Sequence, residues 1–140
     1  MRRIRGLFAA VVMVVMFLAV TNVCVSAAGG YIVPLYERAY DFGSIAMPAT
    51  GTVYDREQYV MSDGKYCKCY LESSGGWAIS VRVVDYYTLS PLSDWVGVDQ
   101  GQTKLIWTNN TGQTKYIRFE LSSVWPWSIR AQGKWLFGPF

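Results

Sequence analysis

From Thr50 to the C-terminus the chain is cut into short segments rich in Val, Ile, Thr, Tyr, Phe and Trp, separated by glycine-containing turns, and no segment sustains a helical period. That pattern confines the fold to consecutive antiparallel strands. β-Branched and aromatic side chains suit a pleated, half-buried surface, and glycine supplies the conformations that reverse a chain. Strands are predicted near 51–55, 57–62, 65–72, 77–84, 103–108, 114–121, 127–131 and 134–137. Residues 85–102, with Ser90, Pro91, Ser93, Asp94, Gly97, Asp99 and Gly101, read as a long connection between sheets. The fold class that follows is all-β, a single antiparallel β-sandwich of about seven to eight short strands over residues 50–140. Residues 29–49 read as an N-terminal arm with one edge strand at Tyr31–Leu35, because Pro34 and Pro48 favour an edge or a loop.

Three turns share one chemistry, with glycine at the third loop position: Ser62-Asp63-Gly64, Ser73-Ser74-Gly75 and Asn110-Thr111-Gly112. Glycine there takes the left-handed conformation that closes a three-residue hairpin. Around Ser73–Gly75 this register pairs Cys69 with Ile79 and Cys67 with Val81. It gathers Cys67, Cys69, Leu71, Trp77, Ile79, Val81 and Val83 on one face, with Tyr66, Lys68, Tyr70, Glu72, Ser80 and Arg82 on the other. Around Asn110–Gly112 the same rule pairs Leu105 with Ile117 and Trp107 with Lys115. Leu105, Trp107, Ile117, Phe119 and Leu121 then share a face, opposite Thr114, Tyr116, Arg118 and Glu120. A slip of one residue would invert the buried face of either strand. The first turn leaves two registers open, since Asp63-Gly64 also reads as a two-residue turn that pairs Val60 rather than Tyr59 with Cys67.

The N-terminus has the layout of a secretory signal peptide. Arg2, Arg3 and Arg5 precede Leu7–Val20, fourteen residues without charge or proline. Thr21 and Asn22 interrupt that run before the roughly 20 residues needed to cross a bilayer core. Ser26-Ala27-Ala28 supplies the small residues that signal peptidase accepts, so residues 1–28 are expected to be a cleaved leader and the working protein to be secreted, with no stable membrane span after cleavage. The leader holds three of the 13 basic residues and none of the 10 acidic ones, leaving ten of each sign in the remainder. A neutral domain offers no electrostatic case for nucleic acid as a partner.

Removing the leader also removes Cys24, so Cys67 and Cys69 are the thiols that remain. Two cysteines at i and i+2 of a strand share a face at the outer limit of disulfide reach, and the expectation is two reduced, half-buried core thiols. The chain has no histidine. That excludes Ser-His and Cys-His nucleophilic catalysis and His-ligated metal sites, and two thiols alone do not complete a zinc site. There is no glycine-rich phosphate loop opening a helix, and no cofactor is expected. Asp41, Asp55, Glu57, Asp85, Asp94 and Asp99 could in principle supply a carboxylate pair for glycoside hydrolysis, but nothing in their spacing selects one. The expectation is therefore a domain that is not an enzyme. Asn109-Asn110-Thr111 matches an N-glycosylation sequon.

All six tryptophans and all ten tyrosines lie beyond residue 28. In Trp125-Pro126-Trp127 an extended backbone puts both indoles on one face, and the proline suits an edge or a loop. Exposed aromatic faces stack on sugar rings and anchor protein interfaces. Trp125, Trp127 and Tyr86 are therefore the candidate binding residues, with an extracellular glycan, cell-wall or protein surface as partner. A bacteriocin-like antagonist and a structural matrix or coat component are the alternatives.

Overall fold

The computed structural model describes residues 25–26 and 32–140. The expected leader, residues 1–28, lies outside the described residues apart from Val25 and Ser26. These two form β1 (Val25–Ser26), antiparallel to β2 (Ile32–Val33). Tyr36–Phe140 is a separate unit.

That unit is a sandwich of two antiparallel sheets. One has the order β3 (Arg38–Met47), β11 (Ile129–Gly138), β6 (Tyr66–Ser73), β9 (Thr103–Thr108). The other runs β4 (Thr52–Tyr54), β10 (Lys115–Ser122), β7 (Ile79–Asp85), β8 (Val96–Val98), and β5 (Tyr59–Met61) pairs the same edge of β10 as β4. β4 lies against Glu120–Ser122 and β5 against Lys115–Ile117, so one edge is filled by two short strands. The chain stays within a sheet only from β4 to β5 and from β7 to β8. Every other link crosses to the opposite sheet, which is the connectivity of a jelly roll.

This connectivity corrects the expected hairpins. Gly64, Gly75 and Gly112 do take positive φ, at 77°, 69° and 76°. The turns they close are arches between sheets, not hairpins within one. β6 pairs with β11 and β9 rather than β7, and β9 pairs with β6 rather than β10. Cys67 and Cys69 do not pair with Val81 and Ile79, nor Leu105 and Trp107 with Ile117 and Lys115. The face assignments of β6, β7 and β10 nevertheless hold, because strands linked by an arch point their inner faces at each other across the core. Cys67, Cys69, Leu71, Ile79, Val81, Val83, Ile117, Phe119 and Leu121 are all buried. Leu105 is the exception: the register of β9 against β6 shifts between Cys67 and Lys68, which buries Ile106 and leaves Leu105 53% exposed. Trp77 is also displaced from the expected core face, being 36% exposed.

Three further elements differ from the sequence reading. Residues 85–102 contain β8, and β7–β8 is the local hairpin of this fold. The strands expected at 127–131 and 134–137 are one strand, β11, with a register shift against β3 between Ala131 and Gly133. Arg38–Met47, within the expected arm, is a ten-residue edge strand on β11.

The core is organised by an aromatic stack that joins the sheets. Trp135 of β11 is stacked on Phe119 of β10 with centroids 3.8 Å apart and on Phe42 of β3 at 4.2 Å. Such ring pairs contribute about 0.5–1.5 kcal/mol each beyond the area they bury. The indole Nε1 donates to Asp55 Oδ2 at 2.6 Å, and Tyr59 Oη donates to the same oxygen at 3.0 Å. The Glu57 amide donates to Oδ1 at 3.3 Å. A buried carboxylate without such donors would be costly, so Asp55 is a polar tie between the two sheets.

Candidate functional site

One end of the sandwich gathers three indoles. At the β6–β7 arch, Gln100 Oε1 accepts from the amides of Ser74 (3.0 Å) and Gly76 (2.8 Å), and Ser74 Oγ donates to the Trp77 carbonyl at 2.5 Å. Gly75 and Gly76 both have positive φ, which turns the chain tightly enough to deliver Trp77 to the tip. After β10, the Trp125 amide donates to Ser123 Oγ at 3.2 Å, its carbonyl accepts from the Thr50 amide at 2.9 Å, and its Nε1 donates to the Ala78 carbonyl at 3.1 Å. Trp125 is thereby fixed against the core, and Trp127 follows in the same loop.

Trp125 and Trp127 lie 5.7 Å apart, with rings inclined by only 17°. Trp77 packs on both, at 4.6 and 4.9 Å and at angles of 49° and 59°. Trp127 is 43% exposed and the neighbouring Val124 is 74% exposed. The result is an apolar wedge rather than a flat plate, anchored through Trp125 and facing solvent at Trp77 and Trp127. Its chemistry is stacking and hydrophobic contact.

Of the three candidate residues, the structure brings together Trp125 and Trp127, adds Trp77, and puts Tyr86 elsewhere. Trp77 precedes β7 and Tyr86 follows it, so the length of a seven-residue strand, roughly 20 Å, separates them. Tyr86 belongs to a second aromatic group, with Tyr87 at 5.3 Å and the Arg118 guanidinium 4.2 Å above its ring.

Several of the other chemically suggestive groups are engaged in the fold. Cys67 and Cys69 are free, fully buried thiols rather than the half-buried ones expected, and burial pushes both pKa values up. Asp55 holds three donors, and Asp41 is paired with Lys134. Asp85 Oδ1 accepts from the amides of Thr88 and Tyr87, both at 2.9 Å, and the Thr88 amide is the main reason its carboxyl sits below the usual range. Asn109 of the sequon is fully buried, its Nδ2 donating to the carbonyls of Met61 and Gln113 at 2.8 Å each, so the folded protein offers no nitrogen to a glycan. Among the described residues no helix is long and apolar enough to cross a membrane, and no three potential metal ligands come together.

No family model matches this chain, and no curated protein does. A solved structure of the disulfide-linked pili that form Bacillus endospore appendages is similar to it at 10% identity, covering 81% of this chain and 93% of that one, with a TM-score of 0.45. A functional reading therefore rests on this chain's own residues.

Proposed function

We propose that this chain is an exported, non-enzymatic recognition domain that binds a surface glycan through Trp77, Trp125 and Trp127. The observation that carries the reading is the indole wedge: Trp125, half-buried and anchored by its hydrogen bonds, supports Trp77 and Trp127, whose rings pack on it and remain partly exposed to solvent. Apolar surface left exposed forgoes about 25 cal/mol per Å2 of burial, and fixed aromatics return that energy when a ligand covers them, with little entropy lost. Purified protein is expected to co-sediment with cell walls or isolated polysaccharide and to shift its tryptophan emission on binding. The Trp125→Ala/Trp127→Ala double variant should abolish retention, and Trp127→Ala, at a more exposed ring, should weaken it about tenfold. Unchanged retention of both variants on every surface that holds the wild type would remove the reading.

A structural role is the second reading, favoured by β3. This edge strand is ten residues long, contains no proline or lysine, and pairs only with β11 among the described residues. A long free edge is a template for strand pairing with another copy. Sedimentation velocity should then show concentration-dependent assembly without ligand. Ala46→Lys, at an exposed position of β3, should suppress that assembly while leaving the melting temperature nearly unchanged. A monomer at all concentrations rules this role out.

A further inference from the structure

The outward face of the second sheet carries two arginines in contrasting states. Arg82 of β7 is neutralised: its Nε donates to Glu120 Oε2 at 2.5 Å, and its guanidinium lies 4.4 Å from the Trp95 ring centroid. Arg118 of β10, opposite Val84, has no carboxylate partner among the described residues. Its guanidinium sits between aromatic rings, 4.2 Å from Tyr86 and 5.8 Å from Tyr54, and its buried Nε has no hydrogen-bond acceptor. Glu120, two residues along the same face, is already bound to Arg82, and Asp85 is committed to the amides of its own turn. Beside Arg118 stand Tyr116, 45% exposed, and Tyr87, 69% exposed, their rings 5.9 Å apart, with Tyr87 Oη accepting from Gln58 Nε2 at 3.1 Å.

We infer that this cradle is a second binding site, distinct from the tryptophan end, and that it takes an oxyanion, carboxylate or phosphate, carried on a sugar ring. A guanidinium flanked by aromatic faces is held in plane, and its remaining N–H edge matches the two oxygens of a planar or tetrahedral oxyanion. Tyr87 and Tyr116 provide ring faces and hydroxyls for the sugar that bears it. The same geometry accounts for Tyr86: it orients Arg118 rather than extending the tryptophan wedge.

The test follows the Arg118 Nε–Hε cross-peak of the full chain by NMR during titration with tetragalacturonate, glucose 6-phosphate and neutral maltotetraose. Saturable displacement by tetragalacturonate alone assigns a carboxylate, by glucose 6-phosphate alone a phosphate, and by neither, or equally by maltotetraose, overturns the site. Arg118→Lys keeps the charge without the fork and should weaken the active probe about tenfold. Trp125→Ala/Trp127→Ala should leave its affinity unchanged, which separates this site from the tryptophan reading. Undiminished binding by Arg118→Lys and Arg118→Gln would reduce Arg118 to a packing strut. Because the cross-peak titration uses the native sequence, a variant that fails to fold does not remove the test.

Discussion

Gly133→Ala is expected to cost the fold about 3 kcal/mol or more and to lower its melting temperature by about 10 °C or more. A Cβ added to Gly133 would lie 2.0 Å from the Tyr70 carbonyl oxygen and 2.7 Å from the Phe42 ring. The first obstacle is backbone, which cannot rotate aside as a side chain does, and it belongs to β6, the central partner of β11. Relief requires β6 and β11 to separate where the register of β11 shifts against both β6 and β3. The second obstacle is the ring stacked on Trp135, so any shift of Phe42 disturbs the Phe42–Trp135–Phe119 column. Overpacking a core usually costs about 1–3 kcal/mol, backbone shifts included, and occasionally more, against a total stability of roughly 5–15 kcal/mol for a domain of this kind. Gly43→Ala is the control, because a Cβ there meets nothing within 4 Å. Circular dichroism melts should show a near-native transition for Gly43→Ala and one about 10 °C or more lower for Gly133→Ala. Equal melts would mean that β6 and β11 are further apart than described.

What the sequence reveals of this fold divides along a physical line. Whether a side chain faces in or out is a local property of a period-two strand, so the inner faces of β6, β7 and β10 could be read directly. Which strands pair is not local in a jelly roll. A glycine with positive φ closes an arch between sheets as readily as a hairpin within one, and nothing in Ser73-Ser74-Gly75 distinguishes the two. Bulges break the local rule as well: the extra residue in β9 moves burial from Leu105 to Ile106. β3 escapes notice for a third reason, since most of its residues are exposed and no alternation marks it.

The candidate site follows the same logic. Trp125 and Trp127 meet because they are i and i+2 around a proline. Trp77 joins them only because the β6–β7 arch and the β10–β11 loop reach the same end of the sandwich, a consequence of connectivity. The paired glycines before Trp77 are the sequence signal that it belongs to a turn rather than a core strand. Of Arg118 the sequence shows only the outward face that it shares with Tyr116 and Glu120. Its isolation from carboxylates emerges only when Glu120 is seen to be taken by Arg82.

The two buried thiols give the fold a steep alkaline limit. Cys67 and Cys69 sit side by side on the core face of β6, where burial raises both pKa values well above the ordinary thiol value near 9.0. The folded chain therefore keeps both protons at a pH where the unfolded chain releases them. Their contribution is fully present below about pH 9 and is lost as pH rises toward the folded values, because above pH 9 the native state binds more protons than the unfolded one. Each thiol contributes up to about 1.4 kcal/mol per pH unit, so the pair approaches about 2.7 kcal/mol per unit. Tyr59, raised first by burial and then by the neighbouring charge of Asp55, steepens the loss above pH 10. Urea midpoints under reducing conditions should be flat from neutral pH to about 8.5 and then fall steeply. Cys69→Ala should lower stability at every pH through the cavity it leaves, but should halve the slope between pH 9 and 10. Thiol reagents should react at neutral pH only through opening of the fold, far more slowly than with an exposed thiol. Rapid labelling of the native protein, or a slope unaffected by Cys69→Ala, would show that these sulfurs reach solvent and that the core between β6 and β7 is open.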